Sequence, residues 1–142
     1  MGIKNMIETI KLIHKEDLLL VKVGSFYTAY GRDAYILNYL FNYKLNKTQD
    51  MYSSAFPILS LAKVTAVLEQ NKINYVVVDK RNNYDVEQES NNKNLNRYKK
   101  VLELAKVKVS HTRRIEEIIE ALKEDEDILE EVEKLINERR KI

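Results

Sequence analysis

Cysteine is absent from the 142 residues. That excludes disulfides, thiol catalysis, iron–sulfur clusters and zinc sites with thiolate ligands. It also fits a reducing compartment. Histidine occurs only as His14 and His111, far apart in the chain, so a His-rich metal site is excluded. Glycine occurs three times and proline once. Such scarcity argues against a flexible linker and against an all-β fold dense in turns. It also leaves too few glycines for a phosphate-binding loop. No apolar run approaches the roughly eighteen residues of a membrane-spanning helix. The N-terminal stretch mixes Lys4, Glu8, Lys11, Lys15 and Glu16 into its apolar residues, unlike a signal peptide. These absences lead to the expectation of a soluble, cytoplasmic protein that needs no metal, cofactor or membrane.

No serine lies in a nucleophile elbow, and no converging set of acids and bases is visible. Glu116, Glu117 and Glu120 fall on an exposed helix face. Asp33 follows a Gly-Arg turn, where an acid either serves a site or charges the first turn of a helix. The expectation is a non-enzymatic chain.

Charge is present in both signs and is unevenly placed. The formal net charge is +2, yet residues 71–114 carry eleven Lys/Arg against five Asp/Glu, and residues 115–142 carry five against eleven. The basic stretch suits a phosphate backbone; the acidic end suits a basic partner. Equally, both are solvated helix faces.

The apolar pattern gives an alternation of elements. Ile3, Met6, Ile7, Ile10 and Ile13 predict a helix over about 3–15. Leu18 to Val23 reads as a buried strand ending at Gly24. Ala34, Leu37, Leu40 and Phe41 predict a helix over 30–41. Short strands are expected at 43–47 and 51–56, joined through Thr48, Gln49 and Asp50. Pro57 then precedes a helix that runs to Gln70, with Ser60 as its expected N-cap. Ile73 to Asp79 is the strongest strand, with a second expected at 84–87. The asparagine-rich stretch 87–96 marks the expected domain boundary. Beyond it, Leu95, Tyr98, Val101, Leu102, Leu104 and Ala105 predict a basic helix, and Ser110 or Thr112 is expected to cap the next one. Narrow stripes through Ile115–Leu122 and Ile128–Ile136 suit a helical hairpin or coiled coil, broken by the acidic run 124–127. The fold class expected is α/β (α+β): a mixed β-sheet flanked by helices over 1–89, then a helical extension over 90–142.

The segment Gly24-Ser25-Phe26-Tyr27-Thr28-Ala29-Tyr30-Gly31-Arg32-Asp33-Ala34 stands out. Two glycines frame three aromatics directly after a strand. An aromatic presented on such a support can stack on a nucleic-acid base; alternatively the three are core residues.

This segment resembles the first, mismatch-recognition domain of the MutS DNA mismatch-repair proteins. That family carries a strand, then Gly-Asp-Phe-Tyr-Glu or similar, then Asp-Ala opening a helix. Leu45-Asn46-Lys47, Ala55-Phe56-Pro57 and Asn74-Tyr75-Val76-Val77-Val78 follow in the family's order and spacing, so the resemblance spans about 15–89. It implies that Phe26 is the residue that stacks beside a mispaired base. Thr28 stands where the family has the Glu that bonds the base edge, Ser25 where it has Asp, and Ala55 where it has Gly. Losing two acids reduces repulsion from phosphates and leaves a hydroxyl for the base edge or sugar. Lys22, Arg32, Lys44 and Lys47 are then expected to position the DNA or RNA backbone. The chain is also similar to small MutS-like proteins, some of which accompany the reverse transcriptase of a diversity-generating retroelement. The function expected is a nucleic-acid-binding accessory protein, with a reverse transcriptase, a homodimer or a partner helix as protein partners. The alternative is an interaction adaptor that keeps the fold without binding nucleic acid.

Overall fold

The computed structural model describes residues 2–48, 51–90 and 96–141. In chain order the elements are α1 (Ile3–Ile13), β1 (Leu18–Val23), β2 (Phe26–Tyr30), α2 (Arg32–Phe41), β3 (Asn46–Lys47), β4 (Tyr52–Pro57), α3 (Leu61–Gln70), β5 (Tyr75–Asp79), β6 (Asp85–Glu89), α4 (Tyr98–Glu124) and α5 (Glu126–Arg140). The strands form one mixed sheet in the order β3-β4-β2-β1-β5-β6. Only β1 and β5 pair in parallel; the other pairs are antiparallel. The fold is thus α+β with a mixed sheet and a helical C-terminal extension, as the residues suggested.

β1 and β5 lie side by side in the middle of the sheet. Both of their faces are covered, which is why they read as unbroken apolar runs rather than as alternations. Leu18, Leu20, Tyr75 and Val77 point into the larger core, with Ile36 and Leu37 of α2 and Val64 and Leu68 of α3. Leu19, Val21, Val76 and Val78 point the other way, into a smaller core closed by Ile7 with Ile3 and Ile10 of α1. Helix α1 therefore covers one face of the sheet, and α2 and α3 the other.

The chain divides into two compact units, Met1–Lys106 and Val107–Ile142. The first does not stop at residue 89, where composition changes, because the opening turns of α4 complete its larger core. Tyr98, Val101, Leu102 and Ala105 are all buried there. Asn96 anchors the approach: its Nδ2 donates to the Glu16 carbonyl at 2.8 Å, and the Arg97 N–H donates to the Lys72 carbonyl at 2.8 Å.

Asp33 ties four elements together inside this unit. Its carboxylate accepts from the Leu19 N–H (3.0 Å), from Lys11 Nζ (3.1 and 3.2 Å) and from the Tyr98 hydroxyl (2.5 Å). Lys11 Nζ also sits 5.0 Å over the Tyr98 ring. Burial raises the Asp33 carboxyl above the ordinary carboxylate range, with Lys11 the largest opposing influence. The same site raises the Tyr98 phenol, through burial first and the Asp33 charge second. Asp33 thus belongs to the packing of the first helical turn and its neighbours, the second of the two roles open to it.

Three expectations are corrected. Ser60 makes no side-chain cap; a single 3-10 turn, Ile58–Ser60, leads into α3 instead. Ser110 and Thr112 cap nothing, because α4 runs unbroken through both. With no glycine or proline between 98 and 124, nothing ends the helix there. No helical hairpin follows, since only Asp125 separates α4 from α5, too short a loop to reverse the chain. The acidic run does open a new helix. The Asp125 side chain accepts from the N–H groups of Asp127 (3.0 Å) and Ile128 (3.4 Å). The expected link between β3 and β4 at Gln49 and Asp50 lies outside the described residues, as does Leu95.

Candidate nucleic-acid interface

The aromatic segment after β1 is a strand, β2, which the residue pattern did not suggest. Gly24 and Ser25 form a two-residue hairpin turn between β1 and β2. Gly24 has φ +61° and Ser25 has no positive φ. A positive φ at the first turn position alone is the signature of a type II′ turn, which suits the right-handed twist of paired strands. The turn sets the register Val23↔Phe26, Lys22↔Tyr27 and Val21↔Thr28.

That register sorts the aromatics by face. Tyr27 and Ala29 point into the larger core, where the Tyr27 ring lies 5.8 Å from that of Phe56. Phe26, Thr28 and Tyr30 point to the opposite face. Phe26 is 49% exposed, whereas its neighbour Tyr27 is 4% exposed. On this face Phe26 lies between Val23 and Pro57, and Thr28 between Val21 and Ala55. Pro57 and Ala55 are themselves exposed. Helix α1 packs over the β1–β5 side of this face and leaves the Phe26 end open. The Thr28 hydroxyl bonds the Tyr30 phenol and lowers it, against the larger effect of burial, which raises it.

The other sequence-derived residues are more scattered. Lys22 pairs with Tyr27 and with Asp79, so it lies on the face opposite Phe26. Lys47 pairs with Tyr52, and its Nζ sits 5.7 Å over the Tyr52 ring. Tyr52 shares the face of Ser54 and Phe56, again opposite Phe26. Lys44 is exposed in the connection between α2 and β3. Arg32 is exposed at the start of α2, two residues past the far end of β2. The structure therefore brings Phe26 and Thr28 together and sets Lys22 and Lys47 on the other side of the sheet.

Residues that the sequence reading passed over stand closer. β1 and β5 are parallel, so their carboxyl ends share one edge of the sheet. The turn Lys80–Asn82, which follows β5, touches β1 beside the Phe26 hairpin. Lys80 and Arg81 are exposed there. β4 ends opposite Phe26, and the next turn carries Leu59, which is 97% exposed. The Ile58 N–H donates to the Ser25 carbonyl at 3.2 Å and fixes that turn to the hairpin. The signal for this cluster is Lys-Arg directly after the strongest strand, combined with the rule that loops following parallel strands converge.

The acids at this end are kept to the other face. Asp79 pairs with Asp85, and the register of β1 and β5 places Asp79 beside Lys22 on the Tyr27 side. The Tyr27 phenol is raised by burial first, then by the charges of Glu87 and Asp79. The Phe26 face thus presents an aromatic ring, a hydroxyl and small apolar groups, with Lys80 and Arg81 at its edge. This composition suits stacking on a base beside a phosphate chain. Among the described residues no cluster of three His, Asp or Glu is placed to hold a metal ion, and no helix is long and apolar enough to cross a membrane.

No curated protein matches the chain. A family profile for MutS domain I matches residues 2–105, nearly the whole of the first compact unit. MutS domain I is a non-catalytic, DNA-binding mismatch-recognition domain. By this match, and by the mixed sheet and hairpin that carry Phe26, the chain belongs to the MutS domain I family.

Proposed function

We propose that this protein is a non-enzymatic nucleic-acid-binding accessory, in which Phe26 stacks on an exposed or mispaired base. The observation that carries the reading is the half-exposed Phe26 ring on a stiff hairpin, one residue from a fully packed tyrosine. Thr28 contacts the base edge or sugar in place of a carboxylate. Arg32 and Lys44, together with Lys80 and Arg81 at the sheet edge, position the backbone. Lys22 and Lys47 act only on a strand that wraps around the sheet. The missing carboxylates shift the balance from base-specific reading toward general recognition of unstacked or distorted sites.

The test is a titration against homoduplex DNA, mismatched DNA, single-stranded DNA and an RNA stem-loop at two salt concentrations. Stacking on one base is worth about 1–3 kcal/mol. Phe26→Ala should therefore lower affinity about tenfold or more while leaving the melting temperature in place. Binding should also weaken steeply with salt. Equal affinity of the two proteins for every substrate would overturn the reading.

The finer role, assistance to a reverse transcriptase in a diversity-generating retroelement, is supported by the resemblance to small MutS-like proteins of such systems. Direct pull-down of a purified retroelement reverse transcriptase by the full chain tests it. An adaptor role draws on a separate observation. Ile115, Ile118, Ile119, Leu135 and Ile136 are all exposed on α4 and α5, amid an excess of acids. Such a stripe suits a partner helix or a second copy of the chain. The two roles are compatible, since the stripe and Phe26 belong to different units.

A further inference from the structure

A second recessed site lies on the Phe26 face, at the other end of β2. It is a pocket of about 300 Å3 between α1 and the start of α2. That volume is at the small end of the range for small-molecule sites and suits one nucleotide. Its apolar wall is made by Ile7, Met51 and the ring of Tyr30. Lys15, Arg32 and Glu8 supply its free charges. Lys11 and Asp33 also border it, but they are bound to each other at 3.1 Å and contribute no free charge. Lys15 and Arg32 are exposed, and neither forms an ion pair among the described residues.

We infer that this pocket binds a phosphorylated nucleotide, with the phosphate on Lys15 and Arg32, the base against Tyr30, Ile7 and Met51, and Glu8 as an acceptor for a ribose hydroxyl or base amino group. Each part of the lining has a use in this assignment. A bare phosphate would leave the apolar wall unused, and an uncharged nucleoside would leave two cations unused. Arg32 suits the phosphate because its planar fork can bond two oxygens at once. The site deepens the nucleic-acid reading above and rests on it for the choice of a nucleotide as ligand. Phe26 and Tyr30 share one strand face four residues apart, about 13 Å at the usual rise. A single strand stacked on Phe26 can thus run along β2 and place a later nucleotide in the pocket.

Adenosine monophosphate is the probe, followed by calorimetry or by NMR shifts on the full chain, with adenosine and inorganic phosphate beside it. The expected result is saturable binding of the monophosphate, at least tenfold weaker binding of the other two, and a loss of tenfold or more in Lys15→Gln/Arg32→Gln. Ile118→Ala, in the other compact unit, should leave monophosphate binding unchanged. A pentanucleotide titrated against the same variants separates the two conclusions. If it binds through Phe26 but the monophosphate does not bind, the pocket assignment falls and the nucleic-acid reading stands. If the monophosphate binds and its affinity depends on Phe26 rather than on Lys15 and Arg32, the pocket assignment also falls. If the monophosphate binds as expected and no oligonucleotide does, the pocket stands and the wider reading falls. If neither ligand binds, both fall. Circular dichroism of each variant checks that these exposed substitutions leave the fold intact.

Discussion

Leu102 and Ile118 lie in the same helix, yet Leu102 is 5% exposed and Ile118 is 56% exposed. Truncating each to alanine should separate the part of α4 that belongs to the first compact unit from the part that does not. Leu102→Ala removes buried methyl groups from a core that also holds Tyr98, Val101 and Ala105. Such changes cost about 2–5 kcal/mol, the spread reflecting how far the cavity collapses. Against a total stability of about 5–15 kcal/mol for a typical domain, that is a large fraction. With about 4–8 °C lost per kcal/mol in a domain of this size, the thermal transition should fall by roughly 8–40 °C. Ile118→Ala should stay within about 0.5 kcal/mol of the parent, as exposed substitutions do. The natural probe is tyrosine emission in a urea titration. The chain has nine tyrosines and no tryptophan, and every tyrosine lies at or before residue 98. The signal therefore reports the first unit alone. Equal small losses in the two variants would refute the claim that α4 completes this core. A large loss in Ile118→Ala, seen by this probe, would show instead that the stripe contributes to the stability of the first unit.

Tyr98→Phe should cost about 1.5–3 kcal/mol by the same urea assay, because it takes a hydroxyl donor from the buried Asp33 carboxylate; a change under 0.5 kcal/mol would show that the bond contributes nothing net. The pH dependence follows from the raised Asp33 carboxyl. The folded chain holds this proton more tightly than the unfolded one. Linkage then makes this group's contribution to stability fall as pH climbs from the ordinary carboxylate range, about 4, through the raised value. Urea midpoints compared between parent and Asp33→Asn across that window should show the parent losing stability relative to the variant as pH rises; parallel curves would contradict the raised value.

The central elements were legible because their physics is local. β1 and β5 have no polar residue until their ends, which only strands buried on two faces require. α2 and α3 carry apolar residues at helical spacing. β2 was hidden because Phe26, Tyr27, Ala29 and Tyr30 leave Thr28 as its one hydroxyl outside an aromatic ring, so polarity does not mark the alternation. The hairpin could have been read from Gly-Ser as a two-residue turn after an apolar strand. Phe26 was placed by resemblance, but which lysines join it depends on parity along each strand. Lys22 and Lys47 miss that face by one position. Lys80 and Arg81 reach its edge through the parallel pairing of β1 with β5, across more than fifty residues of sequence. Asp33 was weighed as a helix-start charge, while its partners Lys11 and Tyr98 come from distant segments that no local pattern connects.

The two-residue turn at Gly24 and Ser25 has a consequence for how this protein can change over time. Side chains of a strand alternate with period two, so turn length sets which aromatic meets solvent and which meets the core. With the two-residue turn kept, one residue added between Val23 and Phe26 would shift the pairing and exchange the two sides of β2. Phe26 would then be driven inward against Phe56 while Tyr27 and its hydroxyl were pushed out. Substitutions along β2 can be sampled one at a time, but single-residue insertions in the turn cannot be. Descendants of this chain are therefore free to vary the chemistry beside Phe26, as Thr28 does, while the length of the turn stays fixed.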